Sequence, residues 1–251
     1  MTLCTPMVNF SRGRRLLLGA ALLLGGCASV PHAATANDPL QPYNRAMFGF
    51  NEKLDKVVMR PVAVAYRNVT PSPVRRGIGN FFGNLGDAWS AVNDLLQLHV
   101  GYAANDILRV EVNTFFGIGG TIDIASEMGL YRHPNDFGMT LARYGVGSGP
   151  YFMLPVLGPS TIRDSGGAVV DDYVYAPLPR LTSDVALRNS GTALDLVQHR
   201  ASLLATTDLL ASIAIDPYVF TRDAYLQRRD ARVHEVRSIG LLTAPDDAGS
   251  K

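Results

Sequence analysis

Residues 85–100 read Leu-Gly-Asp-Ala-Trp-Ser-Ala-Val-Asn-Asp-Leu-Leu-Gln-Leu-His-Val and form the most regular amphipathic pattern in the chain. At 100° per residue the apolar side chains fall within an arc of about 140°: Leu85, Ala88, Trp89, Val92, Leu95, Leu96 and Val100. The other side is polar or small: Gly86, Asp87, Ser90, Asn93, Asp94 and Gln97. This pattern predicts a helix, whose apolar arc packs either into a protein core, the usual fate of such a face, or against lipid. His99 lies inside the arc, which favours a buried core or interface residue over a ligand.

Further helices are predicted on both sides of this stretch. They span residues 38–60, ending before Pro61, and residues 103–116, 122–128, 184–204 and 216–236. Asp216 followed by Pro217 is a strong start signal, because a capping carboxylate precedes proline at the first helical position. Residues 145–160 are rich in glycine and proline, which indicates an irregular loop with at most a short extended piece. The predicted fold class is all-α: one mostly helical domain with Gly/Pro-rich loops and little or no strand.

The first 26 residues have the parts of a secretory signal. Arg12, Arg14 and Arg15 form a basic leader, and residues 16–26 are an apolar run too short to span a bilayer, which takes ~20 residues. Leu24-Gly25-Gly26-Cys27 resembles the lipobox of bacterial lipoproteins, so Cys27 is expected to carry the lipid. The alternative is an ordinary cleaved signal in which Cys27 is incidental.

The residues after the signal divide into three predicted parts. Residues 27–37 are a flexible tether, residues 38–237 the helical domain and residues 238–251 a disordered tail. Two or more acyl chains anchor a protein stably where one binds only marginally, and bacterial lipoproteins resemble the stable case. Ala28, where retention in the inner membrane usually requires Asp, favours the outer membrane by the same class resemblance.

Composition excludes some partners. The leader holds three of the 23 basic residues and none of the 22 acidic ones, so the net charge of the mature chain is −2. This balance does not indicate a polyanion such as nucleic acid. Charged residues make up only 18% of the chain, against ~25% in typical globular proteins. A protein embedded partway into a bilayer has this composition, and so does one with a large soluble core.

Several fragments imitate catalytic motifs without completing one. Asp164-Ser165-Gly166-Gly167 resembles the nucleophile segment of chymotrypsin-like proteases, but the strand pattern of those β-barrels is missing. Four scattered histidines lack metal-ligand spacing: His99, His133, His199 and His234. Residues 133–136 favour a capped turn over an acid–base pair. The sequence therefore predicts a protein that is not an enzyme and that needs no metal or cofactor.

Many separated segments, in order behind the lipobox, resemble the MlaA/VacJ family of outer-membrane lipoproteins over residues 38–229. They include Asp38-Pro39-Leu40, Asn44-Arg45, Arg60-Pro61-Val62-Ala63, Asn113-Thr114, Asp136-Phe137-Gly138, Gly145-Val146-Gly147, Gly149-Pro150-Tyr151 and Asp216-Pro217-Tyr218. Asn84-Leu85-Gly86-Asp87 departs from a glutamate-rich stretch of the family, which puts local surface contacts in doubt.

The resemblance implies a ring-like helical protein in the periplasmic leaflet of the outer membrane, often bound to a trimeric porin. Its amphipathic channel would pass phospholipid misplaced in the outer leaflet to a periplasmic carrier protein and so maintain lipid asymmetry. Phe81, Phe82 and Trp89 are the residues predicted to contact membrane or lipid. Two alternatives stay open: a structural lipoprotein that only scaffolds porins, and a lipid hydrolase, which the missing nucleophile machinery disfavours.

Overall fold

The computed structural model describes residues 38–175 and 183–240, and this part of the chain is predominantly helical. Its elements are α1 (Gln41–Leu54), α2 (Arg60–Val69), α3 (Ser72–Leu96), α4 (Val100–Phe115), α5 (Ile124–Glu127), α6 (Phe137–Arg143), β1 (Tyr151–Leu154), β2 (Gly158–Thr161), α7 (Ile162–Val170), α8 (Val185–Ser202), α9 (Leu204–Ile213) and α10 (Pro217–Ser238). Two short π-helices, Asp55–Met59 and Asp171–Tyr175, follow α1 and α7. The mostly helical fold class is confirmed. The signal, the tether with Cys27 and residues 241–251 of the tail lie outside the described residues.

The helical backbone continues through Pro61, so the predicted helix end before this proline is wrong. Proline lacks an N–H group, and its ring clashes with the carbonyl four residues earlier in a regular helix. Here Pro61 lies in the first turn of α2, directly after the π-helix. The N–H of Arg60 bonds to the carbonyl of Asp55, five residues back, and this wider turn accommodates the proline.

Helix α3 is longer at its start and shorter at its end than the predicted amphipathic helix. Pro73 occupies its first turn, where a missing N–H costs nothing, so the Pro-Ser-Pro segment begins a helix of 25 residues. The helix ends at Leu96, because Leu98 adopts a left-handed backbone conformation with φ of 62°. Val100 therefore belongs to α4 and not to α3.

The glycine- and proline-rich loop contains an antiparallel β-hairpin, which exceeds the short extended piece predicted there. Tyr151 pairs with Thr161, and Leu154 pairs with Gly158. Two asparagines of α1 satisfy the open edge of β1. The Asn44 amide donates to the Tyr151 carbonyl (3.1 Å) and accepts from the Met153 N–H (2.9 Å). Asn51 does the same with the carbonyl of Leu154 and the N–H of Val156. A covered edge cannot pair with another strand.

Side-chain caps set the starts of the later helices. Asp184 and Asp216 accept hydrogen bonds from the first backbone N–H groups of α8 and α10, which confirms both predicted starts. Asp136 caps α6 by accepting from the Met139 N–H, so the cap predicted within residues 133–136 is confirmed, although this segment forms no turn. None of the helices in the described ranges combines the length and the apolar content that crossing a bilayer requires.

Candidate functional site

Helix α3 turns its polar face inward and its apolar face outward. The polar side chains Asp87, Ser90, Asn93, Asp94 and Gln97 are at most 3% exposed, whereas Val92, Leu95 and Leu96 are 42 to 49% exposed. Burying polar groups costs free energy unless each finds a hydrogen-bond partner, and exposed apolar side chains are unfavourable in water. The arrangement therefore suits an interior that carries polar groups and an exterior that contacts an apolar medium.

The exposed apolar side chains continue beyond α3, into the bend, helix α4 and the turn after it. We refer to them as the outer apolar surface: Val92, Leu95, Leu96, Leu98, Val100, Ile107, Leu108, Phe115, Phe116 and Ile118. Soluble monomeric proteins rarely expose large apolar patches, and those that occur mark membrane or partner contacts. This surface is the candidate membrane-facing element of the protein.

The polar stripe of α4 packs against that of α3 through a buried arginine. Arg109 has no exposed surface, and its Nε donates to Asp87 Oδ2 at 3.1 Å. Its Nη2 donates to both carboxylate oxygens of Asp123, at 3.2 and 3.3 Å. Asp87 Oδ1 accepts from Arg132 Nε at 2.7 Å. A buried ion pair is favourable only when hydrogen bonds satisfy the charged groups, as they do here. Removing one partner of such a pair typically costs about 3–5 kcal/mol of stability.

An uncharged network extends the polar interior toward α6. The Gln97 amide donates to Thr140 Oγ1 at 2.9 Å, and that hydroxyl donates to Asn93 Oδ1 at 2.8 Å. Asn135 donates to Asp94 Oδ1 at 2.6 Å through its side chain, and its backbone N–H donates to Ser90. The polar residues of α3 thus fix the loop that precedes α6.

Two buried carboxyl groups in this interior have strongly perturbed acidities. Desolvation raises the pKa of Asp106 to about 8, with a further contribution from the nearby charges of Asp94 and Asp87. Desolvation likewise raises the pKa of Asp94 to about 7. Burial lowers the pKa of His99 to about 4, so this histidine is neutral at physiological pH. The prediction that His99 is buried is confirmed.

The segment that imitates a protease nucleophile is part of an ion-pair cluster. Arg229 donates two hydrogen bonds to Asp136, both at 2.6 Å, and two to Asp164, at 2.9 and 3.0 Å. Tyr225 donates its hydroxyl proton to Asp164 at 2.8 Å. These bonds lower the pKa of both carboxyl groups against the opposing effect of burial. Ser165 donates to Ser160 Oγ at 3.0 Å, so Asp164 and Ser165 have structural partners.

Two cavities flank α10. The first, which we call the Arg232 cavity, has a volume of about 230 Å³, and Asp94, Tyr102, Arg132, Arg228, Arg232 and Glu235 are among its lining residues. The second, the Gly147 cavity, measures about 470 Å³ and lies between the residue 146–148 loop, the start of α7 and α10. Both walls mix charged with apolar side chains, which is the lining that an amphipathic ligand requires.

The three residues predicted to contact lipid all lie on α3 and are half-buried. The rings of Phe81 and Phe82 meet edge to face, with centroids 5.3 Å apart. Trp89 donates from Nε1 to Asp171 Oδ1 at 2.7 Å. The outward direction of the apolar arc around Trp89 favours the lipid alternative over the core alternative, and the lipid contact itself stays a prediction. Cys27 lies outside the described residues.

Sequence reasoning missed the polar stripe of α4, although a signal was present. This helix is apolar over much of its circumference, but four polar residues recur in it at helical spacing: Asn105, Asp106, Arg109 and Asn113. A polar stripe on a helix is usually expected to face solvent. Here all four side chains are buried.

These features define a class: a helical protein with a polar interior along α3 and α4 and an exposed apolar surface beside it, suited to contact with lipid. Comparisons identify the family. The model of the MlaA lipoprotein family matches residues 36–232. The intermembrane phospholipid transport system lipoprotein MlaA of Escherichia coli is 41% identical, over 86% of this chain and 86% of its own length. The protein of the same name from Haemophilus influenzae is 34% identical, over 91% of this chain and 93% of its own length. A solved structure reported as the structural basis for maintenance of bacterial outer membrane lipid asymmetry superposes with a TM-score of 0.67 at 42% identity, covering 78% of this chain and 98% of that one. The chain belongs to the MlaA lipoprotein family, which confirms the predicted family and its non-enzymatic, transport character.

Proposed function

We propose that this chain is the outer-membrane lipoprotein of an intermembrane phospholipid transport system and that it maintains the lipid asymmetry of the outer membrane. The names of its relatives support this role. The observation that carries it is the inverted polarity of the C-terminal half of α3, where Val92, Leu95 and Leu96 are exposed and the polar residues from Asn84 onward are buried. A protein that moves lipid needs an exterior compatible with acyl chains and an interior compatible with a charged headgroup.

The outer apolar surface would lie in the periplasmic leaflet, held there by the acylated Cys27. Phospholipid misplaced in the outer leaflet would enter the polar interior headgroup first and leave toward a periplasmic carrier protein. The Gly147 cavity is a suitable part of this path, because Arg163, Arg229 and Arg237 line it together with Leu226 and Val233. The chain's own residues bind and guide the lipid, and no covalent bond changes.

A trimeric porin is the second proposed partner. The side chains of the outer apolar surface are exposed, so part of this surface is available to a membrane protein within the same bilayer. The alternative function, porin scaffolding without transport, uses the same surface and predicts no role for the interior. A variant that obstructs the interior and leaves the surface intact separates the two functions.

Gly147→Trp is that variant. Gly147 lines its cavity, and a Cβ atom placed there meets no other atom within 4 Å. Its φ is not in the left-handed region, so the substitution adds bulk without backbone strain. In cells lacking the native protein, we expect Gly147→Trp to be made and to co-purify with porin in mild detergent. It should nevertheless fail to restore detergent resistance or to reduce outer-leaflet phospholipid, measured with a membrane-impermeant amine reagent.

The matched control is Gly166→Trp on the exposed side of α7, where a Cβ atom is equally free of contacts. This variant should restore both properties. Full rescue by Gly147→Trp, with porin co-purified and no phospholipid bound, would establish the scaffolding function instead.

A further inference from the structure

The Arg232 cavity has one wall made by a single face of α10. Arg228, Arg232 and Glu235 line the cavity at spacings of four and three residues, which places them on the same side of a helix. Asp94 of α3 and the loop residues Arg132 and His133 also line it. Three guanidinium groups and two carboxyl groups therefore meet in a small volume.

Two of the three guanidinium groups of this cavity have no ion-pair partner in the described part of the chain, and the third is paired with Asp87. Within residues 38–175 and 183–240, neither Arg228 nor Arg232 forms an ion pair, and Arg232 donates only to the carbonyl of Pro134. Arg132 uses its Nε on Asp87, while its buried Nη2 has no partner among the described residues. Burial, together with the charges of Arg229 and Arg228, lowers the pKa of Arg232, against the opposing charges of Asp136 and Glu235. An anion bound between these guanidinium groups would reduce their mutual repulsion and accept hydrogen bonds from the N–H groups that have no partner.

One buried carboxyl oxygen of the same cavity lacks a donor among the described residues. Asp94 is 2% exposed, and its Oδ1 accepts from Asn135, but its buried Oδ2 has no partner in the part of the chain that the structure describes. A buried acceptor that receives no hydrogen bond lowers the stability of the fold by about 1–3 kcal/mol. Glu235 is exposed and adds a second acceptor at the rim. An ammonium group is the donor that such a pair would hold.

The volume limits what the cavity can enclose. Sites that bury a drug-sized ligand measure about 300–1,000 Å³, and the Arg232 cavity, at about 230 Å³, is smaller. A two-chain lipid does not fit, but a headgroup does. Tyr102, Val236 and Ile239 form an apolar part of the lining, along which the first carbons of the acyl chains could leave.

We propose that the Arg232 cavity binds the zwitterionic headgroup of an ethanolamine phospholipid, with the phosphodiester between Arg132, Arg228 and Arg232 and the ammonium at Asp94 and Glu235. This assignment rests on the proposed transport function and deepens it by naming the preferred headgroup. The shared chemistry, a phosphate beside a primary ammonium, also occurs in soluble glycerophosphoethanolamine. Inorganic phosphate supplies the anion alone.

The test measures binding to the full-length chain purified in detergent. The probes are short-chain dihexanoyl phosphatidylethanolamine, the phosphatidylglycerol analogue, glycerophosphoethanolamine and inorganic phosphate. We expect the ethanolamine lipid to bind most tightly. Arg232→Gln should weaken both lipids about tenfold, because a hydrogen bond to a charged group contributes about that factor. Asp94→Asn and Glu235→Gln should weaken only the ethanolamine lipid and abolish the preference.

Arg188→Gln and Glu127→Gln, which lie outside the cavity, are the matched controls and should change neither affinity. Glu235→Gln alters an exposed side chain, so it reports on the ammonium contact even if Asp94→Asn does not fold. Equal binding of the two lipids, or affinities unchanged by Arg232→Gln and Glu235→Gln, would overturn the headgroup site and leave transport standing. Equally tight binding of inorganic phosphate or of glycerophosphoethanolamine would also overturn it, in favour of a site for a soluble anion. Absence of binding by every phospholipid would reject the transport function itself.

Discussion

Asp106 shows, at the scale of one residue, how the polar interior depends on protonation. Its side chain has no exposed surface, Asn105 donates to Oδ1, and Oδ2 has no partner among the described residues. Desolvation raises its pKa to about 8, from an unfolded value of ~3.9. At this site the folded state therefore binds more protons than the unfolded state between these two pH values, and the contribution of Asp106 to the free energy of unfolding falls as pH rises from about 4 to about 8.

Asp106→Asn should remove the contribution of this residue, while Asp94, whose pKa is also raised, and His99, whose pKa is lowered, keep theirs. The amide is uncharged at every pH, so we expect the variant to lose less stability than the native chain between pH 5 and pH 8. Urea unfolding at several pH values, followed by circular dichroism, measures this slope. The control is Glu127→Gln, which changes an exposed acid and should leave the slope as it is. Equal slopes for Asp106→Asn and the native chain would contradict the raised pKa of Asp106.

At the scale of the element, α3 combines a satisfied polar face with an exposed apolar one. The polar face has its partners on α4, on the loop before α6 and on α6 itself, so the inward direction is fixed by hydrogen bonds and ion pairs. The outward face has no such constraint, and whether its exposure is favourable depends on the surrounding medium. Trp89, the single tryptophan of the chain, reports on that medium.

We expect the emission of Trp89 to be quenched by brominated phospholipid in reconstituted bilayers. Its ring is half-buried and its Nε1 is held by Asp171, and an interfacial face reaches about 5–10 Å into the headgroup and acyl boundary. Quenching should therefore be strongest with bromines placed shallowly on the chain.

A second probe serves as the control for that measurement. Leu95→Trp in a Trp89→Phe chain places the indole at an exposed position of the same face. It should be quenched at least as strongly as Trp89. If neither tryptophan responds to bromine at any depth, α3 does not face lipid.

At the scale of the whole molecule, the anchor decides whether the apolar exterior reaches its membrane. Cys27→Ala should leave the chain unacylated and largely absent from the outer-membrane fraction, because the thiol that receives the lipid is missing. Fractionation and mass spectrometry of the N-terminal peptide measure the two effects. Cys4→Ala is the matched control, since that cysteine is removed with the predicted signal. Unchanged fractionation of Cys27→Ala, with no acyl mass on the native peptide, would refute the lipoprotein prediction.

The sequence by itself determined the features that depend on neighbouring residues. The helix starts at Asp184 and Asp216 follow from one carboxylate and the N–H groups two or three residues later. The cap at Asp136 has the same origin. Family membership also follows from the sequence, because many ordered motifs together identify a family where each alone does not.

The tertiary structure alone decided which way the faces point and what they enclose. Periodicity shows that α3 has two unlike faces, but the buried face is chosen by partners far along the chain: Asp87 is inward because Arg109 and Arg132 meet it. The covered edge of the hairpin and the Arg232 cavity likewise depend on residues far apart in the sequence. Local propensity acts over a few residues, whereas burial of a charge is favourable only where distant groups supply its partner. Sequence periodicity does not show where those distant groups lie in the fold.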